Sequence, residues 1–331
     1  MQKIKFPGTD KNASRIGLGT WALGEWMWGP QRKEDSLATV KAALDKGISL
    51  IDTAPAYGFG KSEEIVGQAV QEFGGRDNII IATKVTLEWD EDQNVFRNGS
   101  RERIFKEVDD SLKRLRTDYI DLYQVHWPDP LTPIEETAKA MKELYDDGLI
   151  RAIGVSNYSP DQMDEFRKYA PLHSCQPPYN MFERQIEDDI LPYCKRNDIY
   201  LITYGALCRG MLSGKMSKDR KFKGDDLRND DPKFQEPRFS QYLNAVEKLE
   251  EFAQEKHDME VISFAVRWIL DKGVETALWG ARNPKQVEPF NEVMGWSLSE
   301  EDLEKIQQII DDTIKDPIGP EFMAPPTRKQ K

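Results

Sequence analysis

Histidine, cysteine and long apolar runs are all scarce in this chain. The three histidines, His126, His173 and His257, are scattered through 331 residues with no His-X-His pair, so the clustered ligands a metal-dependent barrel hydrolase needs at its strand ends are missing and no metal is expected. The three cysteines, Cys175, Cys194 and Cys208, have no metal-like spacing and are odd in number, which fits isolated, reduced thiols. No apolar run approaches the roughly 18 residues needed to span a bilayer, and the opening MQKIKFPGTD has no apolar export segment, so a cytoplasmic protein with no membrane partner is expected. Positive charge is in deficit too. With 46 Lys and Arg against 58 Asp and Glu, the net charge of -12 argues against a nucleic acid partner.

What remains is an ordinary globular composition, 39% hydrophobic and 31% charged, in a length that admits two domains or one large barrel. Pattern decides between them. Short apolar runs predict strands at 15–18, 48–52, 78–84, 119–125, 150–155, 172–176, 199–204 and 274–279. Helical periodicity fills the gaps at 34–46, 61–73, 100–115, 132–147, 159–168, 186–197, 240–270 in two pieces, and 284–291. Ser100 stands at a helix start, and Gly47, Gly148 and Gly273 stand where C-terminal caps belong. Alternating strands and helices imply a parallel sheet, and eight of each close an α/β fold of the (β/α)8 TIM barrel type, with an open doubly wound sheet as the rival. A hairpin around FPGTDKNAS precedes the barrel and an extra C-terminal helix follows it, in a single domain over 1–331 whose last residues, 315–331, form an irregular tail. Two long connections, LEWDEDQNVFRNG and the segment from Gly210 to Arg238, are candidate lids.

The stretch ISLIDTAPAYGFG organises the chemistry. An apolar run ends in Asp52 and hands over to a Pro/Gly loop carrying Tyr57; two further runs, NIIIATKV and YIDLYQVHW, deliver Lys84 and His126. Each residue alone reads better as structural: a buried Asp52–Lys84 salt bridge, a core tyrosine, a core histidine. Together they fall at strand ends on one face of a barrel, where active sites lie. A tyrosine that donates a proton near neutrality must be helped down from a pKa near 10, by about 4 kcal/mol, and a neighbouring ammonium held charged by a carboxylate supplies that help. Gly17-Leu18-Gly19-Thr20-Trp21-Ala22 matches the dinucleotide fingerprint, but ALGEWMWGP follows where a helix should open, so a tight loop is the better reading.

The blocks IDTAPAYGFGKSEEIVGQAV, IATKV, SLKRLRTDYIDLYQVHWPD, IRAIGVSNYS and YGALCRGMLSGK, in order between about residues 15 and 295, resemble the aldo-keto reductase superfamily, most nearly its bacterial general-stress and inositol-locus branch. The resemblance implies hydride transfer from NADP(H) to an aldehyde or ketone. In it Tyr57 is general acid/base, Lys84 lowers its pKa, Asp52 pairs with Lys84, and His126 orients the carbonyl or assists proton transfer. Gly19, Thr20 and Trp21 match the loop beside the nicotinamide ribose, and Asp52 also counts among the cofactor positions. Ser156, Asn157 and Gln176 match the carboxamide ligands, and Tyr204 the ring stacked on the nicotinamide. Gly205, Ala206, Leu207, Cys208, Arg209 and Gly210 match the pyrophosphate loop, with Gly-Ala-Leu where the family has Ser-Pro-Leu. Lys215 and Arg228 match cations closing over the pyrophosphate, and Gly280, Ala281, Arg282 and Gln286 the adenosine block, where Arg282 favours NADP(H) over NAD(H). Phe290 replaces the usual Asn or Glu for adenine, leaving stacking or a loose hold.

The alternative reading is a non-catalytic nicotinamide-binding sensor, which an intact tetrad also permits. Trp21, Trp26, Trp28, Trp89 and Trp127 fall in loops on the catalytic face and imply an aromatic-walled pocket suited to a small carbonyl substrate. The chain is expected to be a monomer.

Overall fold

Strand parity determines what this barrel puts where. The computed structural model describes residues 1–329; Gln330 and Lys331 lie outside the described residues. The chain opens with an antiparallel hairpin, β1 (Lys3–Lys5) and β2 (Asn12–Ser14). Then come β3 (Ile16–Gly19), α1 (Lys33–Asp45), β4 (Leu50–Asp52), α2 (Lys61–Phe73), β5 (Ile80–Val85), a second hairpin of β6 (Leu87–Trp89) and β7 (Val95–Arg97), α3 (Arg101–Leu115), β8 (Ile120–Val125) and α4 (Ile134–Asp146). The second half runs β9 (Ile150–Ser156), α5 (Pro160–Arg167), β10 (Ser174–Gln176), α6 (Ile190–Arg196), β11 (Tyr200–Thr203), α7 (Arg238–His257), α8 (Val261–Asp271), β12 (Thr276–Gly280) and α9 (Glu300–Thr313). Strands β3, β4, β5, β8, β9, β10, β11 and β12 are parallel neighbours in that order, and the barrel closes where Ala277 of β12 pairs with Ile16 of β3. The expected barrel, leading hairpin and C-terminal helix are all present.

Alternate residues of a strand face opposite ways. Leu50, Ile80, Ala82, Leu122, Ala152, Tyr200, Ile202 and Leu278 pack together with Phe6 as one cluster inside the barrel. Their neighbours Ile51, Ile81, Tyr123, Ile153 and Leu201 join the larger cluster beneath the helices. Phe6, carried on the first hairpin, meets Tyr200 edge-on at 5.0 Å and plugs the end opposite the strand C-termini. Higher on the inward rows stand Asp52, Lys84, Gln124, Ser156, Gln176 and Tyr204, two residues past Leu50, Ala82, Leu122, Gly154, Ser174 and Ile202. The polar site is therefore the top layer of the same inward rows whose lower layers are apolar.

Several boundaries differ from expectation for local reasons. The helix expected over 186–197 starts at Ile190, because Pro192 has no N–H to give and sits comfortably only in a first turn. That expected over 284–291 is a 3-10 helix, Pro284–Val293, with Pro289 inside it. The connection after Lys84 is a hairpin rather than an irregular loop, register Glu88 to Phe96. At α3 the Ser100 side chain accepts the Arg103 amide at 3.4 Å, so that start was visible in sequence.

The tail is pinned rather than loose. The Arg97 amide donates to the Pro326 carbonyl at 3.0 Å, and the Arg328 guanidinium reaches the buried Asp129 carboxylate, so residues 320–329 lie across the barrel mouth. No helix of the described residues is long and apolar enough to cross a membrane. Replacing Phe6 with alanine is expected to destabilise the chain by about 3–5 kcal/mol, since the plug cannot collapse onto Tyr200. The urea midpoint measures it, and a loss under about 1 kcal/mol would mean that the hairpin is not part of the cooperative core.

Candidate active site

Asp52, Lys84, Tyr57 and His126 converge as the sequence suggested. The Lys84 Nζ donates to Asp52 Oδ2 at 2.6 Å, to the Thr53 carbonyl at 2.9 Å and to the Tyr57 hydroxyl at 3.2 Å. Tyr57 is seated by a backbone contact that only glycine allows: a Cβ on Gly58 would lie 2.0 Å from the Gly24 carbonyl oxygen, and one on Gly24 would lie 2.5 Å from that of Tyr57. The loops after β3 and β4 thus touch main chain to main chain. Trp21 stacks on the Tyr57 ring at 5.8 Å, and His126 stands edge-on to it at 5.7 Å.

Burial dominates the electrostatics. It pushes the Tyr57 phenol well above its ordinary pKa, and Asp52 and Tyr204 push the same way. It draws His126 well below its ordinary value, helped by the Lys84 charge, so the imidazole is neutral. Desolvation also draws Lys84 down, against the pull of Asp52.

The positions matched to a cofactor fall into two groups. Ser156, Asn157, Gln176, Tyr204 and Trp21 line one cavity of about 390 Å³ together with Tyr57 and His126. Within it Ser156 donates to the Gln176 carbonyl at 2.6 Å, Asn157 donates to the His126 carbonyl at 3.0 Å, and the Tyr204 hydroxyl donates to Asn157 Oδ1 at 2.9 Å. Gln176 gives Nε2 to Asp52 Oδ1 at 2.8 Å, and among the described residues no donor reaches its Oε1. That leaves an acceptor at the cavity wall, which fits a carboxamide N–H. Gly19 ends β3 beside Gly280 of β12, while the Thr20 hydroxyl, on the helix side of the barrel, donates to the Asp52 carbonyl at 2.8 Å and meets Ser62 of α2 at 2.8 Å.

The second group lies farther out. From Gly205 to Gly210 the chain bends through left-handed backbone at Gly205, Cys208, Arg209 and Gly210; Ala206 and Cys208 are buried and Leu207 packs on the core. Arg209 departs from expectation: its guanidinium is buried against Glu183 and Asp231, and Lys233 meets Glu183 at 2.9 Å. Arg209 and Lys233 outweigh the burial of Glu183 and hold its carboxyl down to about 2. Lys215 is exposed, Arg228 grips Asp226 at 2.8 and 2.6 Å, and Arg228 stacks over Phe222 at 4.3 Å.

At β12, Gly280 is exposed and Ala281 buried. Arg282 donates to the Pro30 carbonyl at 2.7 Å and to Gln31 at 3.2 Å, while Gln286 accepts the Arg282 amide at 2.7 Å. Phe290 is not available for stacking. It is fully buried, 4.8 Å from Trp279, as part of the core.

Sequence reasoning missed part of the wall. Leu87 and Val95 of the second hairpin, Met27 and Leu227, and Phe322 to Pro326 of the tail all line the cavity with Trp26 and Trp127. Trp28 and Trp89 stand behind it, packed on Trp21 and Phe59. Alternation in VTLEW and NVFR was the available signal for the hairpin; the tail gave none.

The sequence model of the Aldo/keto reductase family matches residues 15–311. Aldo-keto reductase YhdN of Bacillus subtilis is 60% identical over the full length of both chains. The NADH-specific methylglyoxal reductase of Escherichia coli is 34% identical, covering 93% of this chain and 98% of that one. Among solved structures, the glycerol dehydrogenase AKR11B4 from Gluconobacter oxydans superimposes with a TM-score of 0.88 at 51% identity, covering 97% of this chain and 99% of that one. The barrel, the converged strand-end residues and these likenesses agree: the chain belongs to the aldo/keto reductase family of oxidoreductases.

Proposed function

We propose that the protein reduces aldehydes and ketones to alcohols with NADPH, Tyr57 being the proton donor. One observation carries this reading: an ammonium held by a buried carboxylate touches a phenol at the floor of an apolar cavity. When bound, the nicotinamide supplies the hydride that reaches the carbonyl carbon. Tyr57, kept protonated by its burial, gives its proton to the carbonyl oxygen as charge develops there. Lys84 stabilises the phenolate left behind. The neutral His126 imidazole offers a hydrogen bond that orients the oxygen, without competing for the proton.

Ser156, Asn157 and Gln176 would hold the carboxamide, and Tyr204, fixed by its bond to Asn157, would cover the ring. The walls favour apolar carbonyls. Trp26, Leu87, Trp127 and Phe322 supply that apolar surface, while Gln93, Asn94 and Asp230 at the same wall offer hydrogen-bonding groups for small polar substrates such as methylglyoxal or glycerol, for which two relatives are named. For the adenosine end, burial draws the Arg282 guanidinium below its ordinary value, and the Arg228 and Arg220 charges push the same way against Asp226 and Glu25; an anion such as a 2′-phosphate would favour its charged form.

Tyr57→Phe is expected to cut carbonyl reduction by about 10²–10⁴-fold while the NADPH dissociation constant stays nearly unchanged. Activity within a few-fold of the parent would refute Tyr57 as the donor. Since His126 titrates well below 6.5, the reductive kcat should be flat from about pH 6 to 8; a limb near 6.5 would mean that the imidazole charges during turnover.

Arg282→Ala tests the cofactor preference. Loss of a charge-assisted hydrogen bond to the 2′-phosphate should weaken NADPH by roughly 10- to 150-fold and leave NADH nearly untouched. Fluorescence quenching of the nearby tryptophans measures both. Equal weakening would mean that Arg282 acts only by tying down the Gly29–Gln31 turn.

A further inference from the structure

One fully buried polar side chain at the floor of the site has no part in the tetrad. Gln124 sits in β8 opposite Lys84 of β5 and is wholly enclosed. Its Nε2 donates to Asp52 Oδ1 at 3.3 Å, and its Oε1 accepts from Gln176 Nε2 at 3.3 Å. A leucine or methionine would fill the same space at lower desolvation cost. The barrel also makes room for it: across the β8–β9 pair stands Gly154, where a Cβ would lie 2.9 Å from Gln124 Cγ and 2.5 Å from Ser174 Oγ.

We propose that Gln124 is a positioning residue, which shares the Asp52 carboxylate with Lys84 and Gln176 and so fixes how near the Lys84 ammonium stays to the Tyr57 hydroxyl. The proposal rests on Tyr57 as the proton donor. Asp52 is pulled from two sides, by Lys84 on Oδ2 and by two amides on Oδ1. An ionised carboxylate only accepts, so both amides must turn their N–H groups inward, and Gln176 is left with Oε1 toward the cavity. Take away the Gln124 donor and Asp52 holds more unshared negative charge. It then raises the cost of a phenolate at Tyr57 directly and draws Lys84 away from the hydroxyl. Both effects have the same sign.

The other titratable groups around this pair are His126 after β8, Tyr204 after β11, which adds to the Tyr57 shift, and Glu63 of α2, which acts on Lys84. Among the described residues none of them hydrogen-bonds to Gln124, whose partners are Asp52 and Gln176.

The experiment compares Gln124→Met and Gly154→Ala, which crowds Gln124 without replacing it, with the parent and with Tyr57→Phe. Alcohol oxidation needs ionised Tyr57, so the rising limb of its kcat against pH should move up by about one unit in both variants, with a loss of about tenfold near neutrality that closes at high pH. The tyrosinate absorbance titration of cofactor-free protein, taken as the difference from the same chain carrying Tyr57→Phe, should move the same way. Urea midpoints establish that each chain is folded, and Gln124→Asn is read in place of a variant that is not, with a smaller upward shift expected. If Tyr57→Phe is nearly inactive and the limb does not move in the folded variants, Gln124 is packing and the proposal falls alone. If Tyr57→Phe keeps its activity, the donor assignment fails and the proposal with it.

Discussion

A lysine ammonium buried inside a barrel is the constraint around which this site is built. Lys84 is 1% exposed, and such a charge away from water costs several kcal/mol unless partners surround it. It has three: the Asp52 carboxylate, the Thr53 carbonyl and the Tyr57 hydroxyl. Asp52 must in turn satisfy its second oxygen, which the amides of Gln124 and Gln176 do from β8 and β10. Four strands are thus held in register by one charge and its consequences. The three N–H groups of the ammonium are all used, and of its three partners the Tyr57 phenol is the one that lines the cavity.

The same top layer explains the loops. Inward rows that are apolar below and polar above leave an open mouth, and a mouth of about 390 Å³ must be walled by segments outside the barrel. The second hairpin brings Leu87 and Val95, the loop after β3 brings Trp21 and Trp26, and the tail brings Phe322 to Pro326. These walls are fastened to one another. The Leu227 amide donates to the Met27 carbonyl at 3.0 Å, and Arg97 of the hairpin donates to the tail carbonyl of Pro325 at 2.8 Å.

A second buried cluster holds the irregular half of the mouth. Glu183, Arg209, Asp231 and Lys233 balance two negative charges with two positive ones, and Lys233 also donates to the Gly319 carbonyl at 2.9 Å. The turn after β10, the left-handed loop after β11, the segment before α7 and the tail all meet there. Segments with few hydrogen bonds of their own are kept in place by charges that have no water to turn to.

Strand ends, barrel topology and the four converging residues were readable from the sequence, because each depends on a local signal: an apolar run of strand length, a side-chain period of two, and a polar residue where the run stops. Only the tertiary structure decided that Arg209 faces a buried carboxylate pair, that Phe290 belongs to the core behind Trp279, that Gln124 shares Asp52, and that the tail crosses the mouth. Most of these partners lie in other elements of the chain; Gln124 and Asp52 are 72 residues apart, and Arg328 and Asp129 are 199. Sequence periodicity says which way a side chain points from its own strand, but what it meets there is set by the closure of the barrel.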